Sequence, residues 1–494
     1  MVFRLFMLFL QHRKQFVDVK NNKGKQMRTK RIVLLVVCGM MAICSHAQTT
    51  RAQMSGPFCA YIPPQEADTL PAPEGAVPFY ISHYGRHGSR WLMHQAQYDG
   101  VLSFFFNRNN LTKLGRLVAK RLAKVAQAAR GKAALLTPLG EQQQREIAQR
   151  MRQNYPTVFR SSATVHVYAS PAERCQQSKM AFIAGLNAAN RAPIALLLHN
   201  DSIAFSWLAP TSAEFKAWKA RPHKLPTLPT AHFLTALFRD TTQVKRGERL
   251  MIELYKLAAD MQNVPLKIRF DDAFNDDEWR ACYERNNRGM WLLHGQAPDN
   301  QGVTQRVVAP LWQQIVDEAA QALQGKVAAT LRFGHDTSLY HLLALLGTDK
   351  LSDEHADALE QIIPMAANLQ IVFYCRREQV GKPLGPDDVL VKFLLNERPM
   401  RLSKVGSEDV APDGKTGYYY RWSRVLAYVA KRLAAANAQG RWAMAYPLVG
   451  TAGQLQHPKP SINGTASSGK RCSQGWERVD FTKTSVPKVG NSEI

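Results

Sequence analysis

The stretch FYISHYGRHGSRW, Phe79 to Trp91, decides how the rest of the chain is read. It begins as an apolar strand and then sets two permanent cations and an imidazole within five residues, Arg86-His87-Gly88-Ser89-Arg90. A strand that ends in such a group carries it to the carboxyl edge of a sheet, where open α/β sheets bind their ligands. Polar residues that follow other strands are then its natural partners.

Two further apolar runs end in the same way. TVHVY, Thr164 to Tyr168, alternates like a strand and leads into Ser170-Pro171-Ala172-Glu173-Arg174. VAATLRF, Val327 to Phe333, leads into Gly334-His335-Asp336. Around these runs the pattern predicts a strand over Val77 to Ser82 and a basic helix over Leu114 to Ala134. A second helix starts at Pro138, and a third, over Ala172 to Leu186, is capped by Ser170-Pro171. Residues 200–325 read as mostly helical, broken at Arg221 to Pro229 and ending in an amphipathic helix over Val308 to Leu323. A helix over Leu339 to Leu346, strands over Leu369 to Cys375 and Val389 to Leu395, and a last helix in YYYRWSRVLAYVAKRLAAA complete the pattern. Strands alternating with helices predict an α/β fold over 76–438, with a central sheet flanked by helices and a helical cap inserted at about 200–325.

The ends of the chain read differently. MRTKRIVLLVVCGMMAICSHAQ has a basic start, an apolar run from Ile32 to Cys44, and Ser45-His46-Ala47 before Gln48. This is an export signal, with Met27 an alternative start to Met1, and it sends the protein to the periplasm or outside the cell. The apolar run is short for a membrane span, and no span is expected after cleavage. Residues 48–75 are Pro-rich and read as an extended lead-in, and residues 439–494 as a disordered tail. In that tail Gly464 to Lys470 resembles a P-loop, but Arg471 stands where Ser or Thr is needed and no strand precedes it.

The net charge is +25; residues 1–47 hold nine Lys/Arg against one acid, leaving +17 for the remainder. That excess suits an acidic substrate or an anionic surface. No dense basic-aromatic stripe follows residue 47, which argues against nucleic acid as the partner. Cys59, Cys175, Cys282, Cys375 and Cys472 remain after the signal, an odd and widely spaced set that makes no disulfide framework. Neither CxxC nor HExxH occurs, so no metal site and no cofactor is expected.

Converging on one crevice, the three strand ends supply three guanidinium groups, two imidazoles and a carboxyl. Arginine presents a planar fork that matches a phosphate, and each charge-assisted bond contributes roughly 1.5–3 kcal/mol. Cations beside His87 hold it neutral and so nucleophilic. Gly88 permits a tight turn. A protonated Asp336 donates to a leaving alkoxide. The set describes phosphoryl transfer through a phosphohistidine.

These residues, with LTPLGEQQQ (Leu136 to Gln144) and Ser170-Pro-Ala-Glu-Arg174-Cys-Gln-Gln-Ser178, resemble the histidine acid phosphatase family, branch 2 of the histidine phosphatase superfamily. The resemblance spans roughly 75–435. HYGRHGSR, MAANLQIVFY and YYYRWSRV are most similar to bacterial proteins grouped with multiple inositol polyphosphate phosphatases. It implies a phosphoglycerate-mutase-like sheet, His87 as nucleophile, Asp336 as proton donor, and Arg86, Arg90, Arg174 and His335 as the phosphate pocket. The chain departs from the family at Trp91, where many members carry Pro. His335-Asp336 also replaces the His-Ala-Glu common in the inositol polyphosphate group. The expected function is an exported phosphomonoesterase acting on a small phosphate ester, either an inositol polyphosphate such as phytate or 2,3-bisphosphoglycerate. A broad-specificity acid phosphatase and a non-catalytic phospho-ligand binder are the alternatives. Lys216, Lys219, Arg221 and Lys224 in the cap either favour a polyphosphorylated ligand or face solvent.

Overall fold

The computed structural model describes residues 50–64, 71–160, 164–188, 194–199, 206–348, 363–402, 404–407 and 417–439. The expected signal segment and the tail beyond 439, with its P-loop-like stretch, lie outside the described residues.

In chain order the strands are β1 (Ala76–Arg86), β2 (Thr164–Ala169), β3 (Ala195–His199), β4 (Ala329–Gly334), β5 (Asn368–Arg376), β6 (Leu390–Leu395), β7 (Arg398–Met400) and β8 (Tyr419–Arg421). The helices are α1 (Gln95–Ser103), α2 (Lys113–Ala129), α3 (Pro138–Asn154), α4 (Glu173–Asn187), α5 (Ala213–Ala220) and α6 (Thr230–Leu237). They continue as α7 (Gly247–Asp260), α8 (Asp276–His294), α9 (Val303–Val307), α10 (Ala309–Leu323), α11 (Asp336–Leu346) and α12 (Trp422–Gln439).

One mixed sheet runs in the order β3-β2-β4-β1-β5-β6-β7, with β8 on β6. β3, β2, β4 and β1 are parallel, and β5 turns antiparallel to β1. The parallel strands are covered on both faces, so they read as nearly continuous apolar runs. Tyr80 and Tyr84 of β1, with Leu369, Ile371 and Phe373 of β5, face α10, α11 and α12. Ile81, Val165, Val167, Leu331 and Phe333 face α3 and α4. Register matters most for the site. Arg86 pairs with Gly334 and Ala169 with Phe333, so β1, β2 and β4 end at one level of the sheet.

A second apolar core lies among helices. It draws on Met54 and two longer stretches, Trp91 to Ala129 and Leu228 to Tyr283, and includes α1, α2, α6, α7 and the first turns of α8. Leu311, Trp312, Ile315 and Ala319 of α10 pack instead in the core under the sheet.

Three local readings differ from the sequence expectations. Residues 50–64 are not extended throughout. They turn at Thr50–Met54 and form a 3-10 turn at Gly56–Phe58, because the Met54 carbonyl accepts from Tyr255 and Trp279. Helix α2 stops at Ala129 rather than Ala134, where Gly131 (φ +72°) and Ala134 (φ +65°) take left-handed backbone. The last helix begins at Trp422, since Tyr419–Arg421 pair with β6 as a short strand.

Candidate active site

β1 ends on Arg86, and the chain then leaves the sheet through His87-Gly88-Ser89-Arg90. Helix α3 forms the rack for this loop. Thr137 caps it, with its hydroxyl accepting from the Gly140 amide, while its own amide and hydroxyl donate to the Ser89 carbonyl at 2.9 and 3.1 Å. Gln143 Oε1 accepts from the Ser89 amide at 2.9 Å, and Gln144 Nε2 donates to the Arg86 carbonyl at 2.9 Å. Two glycines let loop and helix touch. A Cβ on Gly88 would lie 2.4 Å from the Gly140 carbonyl oxygen, and one on Gly140 would lie 2.2 Å from that of Ser89. From α4, Ser178 Oγ accepts from the Gly88 amide at 3.1 Å.

The other two strand ends meet this loop. His335 immediately precedes α11, and Asp336 is the helix's first residue. Asp336 Oδ2 lies 2.9 Å from Arg86 Nη2, and its Oδ1 accepts from the Thr337 amide. Arg174 Nη2 donates to His335 Nδ1 at 3.2 Å. A guanidinium can only donate, so Nδ1 accepts and the His335 proton sits on Nε2, directed at Ser170 Oγ 3.0 Å away. The His87 and His335 rings lie 6.0 Å apart, centroid to centroid. His87 Nδ1 stands 2.9 Å from the Gly88 carbonyl, which can only accept, so Nδ1 carries the proton and Nε2 keeps a free lone pair. All six residues singled out in the sequence are thus placed at one end of the sheet.

The electrostatics suit an anion. Three guanidinium groups stand against the carboxylate of Asp336 and the deeper carboxyl of Asp260. Arg86 and Arg90 are 1% and 7% exposed. The Nε atoms of Arg86, Arg90 and Arg174 are buried and have no partner among the described residues, a rare and costly state for three donors together. Burial, then Arg86, Arg90 and Arg174, hold the His87 imidazole well below its ordinary value. Burial is the larger cause, where the sequence pointed only to neighbouring cations. Burial and Arg174 bring His335 down to about 4. Burial raises Asp336, but Arg86 and Arg90 outweigh it and pull the carboxyl down to about 2. The free site therefore holds an ionised Asp336, whereas proton donation needs a protonated one.

Residues 86–223 match the family described as the histidine phosphatase superfamily, branch 2. The match covers 138 of the 494 residues. The matched stretch contains the loop, the α3 rack and Arg174, while His335 and Asp336 reach the site through β4. No curated protein sequence matches the chain. Among solved structures, the multiple inositol polyphosphate phosphatase of Bifidobacterium longum in complex with inositol hexasulfate has a TM-score of 0.61 at 17% identity, covering 78% of this chain and 98% of its own. The same enzyme in complex with phosphate gives the same values. The phytase from D. castellii has a TM-score of 0.56 at 14% identity, covering 78% and 86%. At these identities the likeness is one of fold, and this chain shares their α/β architecture.

Sequence reasoning did not single out Gln143 and Gln144 as supports, nor Asp260 and Asn263 behind the loop. Gln143 and Gln144 lie inside the quoted LTPLGEQQQ, so the helix-start pattern pointed to them without a role. The second pair sits at the end of an ordinary amphipathic helix and gave no local signal.

Proposed function

We propose that this protein is a histidine phosphatase of branch 2, an exported phosphomonoesterase that hydrolyses small phosphate esters through a phosphohistidine on His87. The observation that carries the reading is the set of three buried, unpartnered arginine Nε donors beside an imidazole with its Nε2 lone pair free. The ester phosphate lies among Arg86, Arg90, Arg174 and His335. His87 Nε2 attacks phosphorus in line, the P–O bond to the alcohol breaks, and the leaving oxygen takes a proton from Asp336. Water then attacks phosphorus, its proton passes to the Asp336 carboxylate, and the P–N bond breaks to release phosphate.

The ion pair between Asp336 and Arg86 sets a condition on this sequence. An arriving phosphate competes for Arg86 and places negative charge beside the carboxyl, and both effects raise its proton affinity. An ester entering as its monoanion brings the proton with it.

Inositol polyphosphates are the substrate class we favour. Lys219 is exposed on α5, and its charge acts on His294 and His341, two buried histidines that also feel Asp336. A cation whose field reaches these neighbours of Asp336 favours a ligand with more than one phosphate. Lys219 Nζ and the Arg221 guanidinium each lie over a ring of α5, Phe215 and Trp218, both at 5.7 Å from the centroid. The relatives of similar fold are named for inositol polyphosphates and phytate. Export rests on the N-terminal signal pattern, and no helix among the described residues is long and apolar enough to cross a membrane. Sequencing the mature N-terminus tests export; it should begin at Gln48.

A binder without turnover is the second reading, favoured by the ionised Asp336. Rapid quench with a labelled ester separates the two. Turnover predicts acid-labile phosphate on His87, absent in His87→Ala together with all activity. A His87→Ala protein that turns over at the wild-type rate refutes the mechanism.

A further inference from the structure

Behind the second pocket arginine lies a carboxylate that the chemistry above does not use. Asp260 is the last residue of α7 and is 2% exposed. Its Oδ1 accepts from Asn263 Nδ2 at 3.1 Å, and Asn263 Oδ1 accepts from Ser89 Oγ at 2.7 Å. The end of a helix in the second core is thereby tied to the loop that carries His87 and Arg90. Arg90 gives Nη1 to the Trp91 carbonyl at 2.8 Å and leaves Nε without a partner. Asp260 makes no direct ion pair among the described residues, so it acts on Arg90 through charge.

Resting on the phosphate-ester reading, we propose that Asp260 is a positioning residue acting through Arg90, a buried counter-charge whose protonation sets how strongly the pocket holds a phosphate. Burial pushes the Asp260 carboxyl up to about 7, against the pull of Arg90, the Asn263 bond and Arg86. The ionisable groups around it are few. Arg90 and Arg86 come from the loop after β1, and Tyr98 from α1 feels Asp260 in return. The 3-10 turn Gly56–Phe58 brings no ionisable side chain. Across α6 and α8 stand His232 and Glu278, paired with each other, and the buried thiol of Cys282.

The sign follows from charge. Below about 7 Asp260 is neutral, and the pocket arginines face a ligand with their full charge. Above it, an added negative charge behind Arg90 weakens anion binding. Binding of an anion must in turn raise the proton affinity of Asp260. In the free protein the other pocket groups do not titrate in this window, since His335 lies at about 4, Asp336 at about 2, and Arg90 at about 10; a bound anion raises Asp336 as well, and Asp260→Asn tells that uptake from Asp260's own.

Sulfate is the probe, because unlike phosphate it stays a dianion across this range. In titration calorimetry on the full chain, the wild-type sulfate dissociation constant should rise roughly tenfold between pH 5.5 and pH 8.5. Asp260→Asn should bind sulfate with the low-pH affinity at both values. A flat wild-type profile, or an Asp260→Asn profile with the wild-type rise, overturns the proposal. Should Asp260→Asn fail to fold, the wild type decides alone. Binding near pH 7 must take up protons, read as a buffer-dependent binding enthalpy, and zero uptake overturns the proposal. Sulfate binding without proton uptake leaves the phosphatase reading standing. Absence of sulfate binding, with His87→Ala as active as wild type, removes both.

Discussion

Arg86 Nη2 stands 2.9 Å from Asp336 Oδ2, so the first arginine of the pocket and the proposed proton donor neutralise one another in the free protein. Substrate must break or share this pair before Asp336 can give a proton. The pair thus links anion binding to readiness for proton transfer.

Asp336→Asn removes both the charge and the acid. Leaving groups that need a proton should suffer most, so hydrolysis of an alkyl phosphate should fall by about 10²–10⁴, and that of an activated aryl phosphate by much less. Steady-state kinetics on the two esters checks this. Equal slowing of both would argue that Asp336 serves only to place Arg86.

The acid side of the pH profile follows from the two histidines. Burial and the arginines hold His87 well below its ordinary value, so it stays neutral and nucleophilic in mild acid. kcat/KM should therefore hold through pH 5, with any loss arriving only at lower pH, and should decline above neutrality as the ester monoanion that brings Asp336 its proton becomes scarce. A profile of kcat/KM with an acid inflection near 6.5, the ordinary imidazole value, would contradict the described environment of His87. A rate still rising above about pH 8 would contradict a protonated donor.

The contact between Gly140 and the loop can be tested by one methyl group. Gly140→Ala places a Cβ 2.2 Å from the Ser89 carbonyl oxygen, and neither backbone can yield without moving the loop. Turnover should fall at least tenfold, on the general sensitivity of rate to an ångström of misplacement. Gly100→Ala in α1 is the control, since nothing lies within 4 Å of its added Cβ. Equal activity in the two variants would show that the α3 rack does not position the loop.

Much of this site was legible because its residues follow strands. The β1, β2 and β4 runs end in charged groups, and parallel register brings those ends level. Local patterns also marked the helix start at Pro138 and the tight turn at Gly88. Two things were not legible. The ionised state of Asp336 depends on a 2.9 Å contact between residues 250 positions apart, which no local pattern encodes. Asp260 and Asn263 reach the loop only through tertiary packing of α7. Trp91 read as a departure from the family, and its place is now plain. Its ring lies in the second core beneath Lys132, 5.4 Å away, and anchors the exit of the loop.

Stability depends on a second buried carboxylate, under the sheet. Glu318 of α10 accepts from Tyr168 Oη at 2.6 Å, His166 Nδ1 at 2.9 Å and Thr330 Oγ1 at 3.1 Å. Burial raises its carboxyl, but the bonds from His166 and Tyr168 prevail and bring it to about 2. A carboxyl depressed in the fold stabilises fully above its unfolded value, and that contribution is lost as pH falls toward about 2. Glu318→Ala leaves three buried groups on β2 and β4 without their acceptor, at a cost of about 3 kcal/mol near neutrality. Chemical denaturation at pH 7 and at pH 3 should show a large deficit at the first and a smaller one at the second. A deficit that does not shrink in acid would mean that the lost packing, rather than the ionised carboxylate, holds α10 to the sheet.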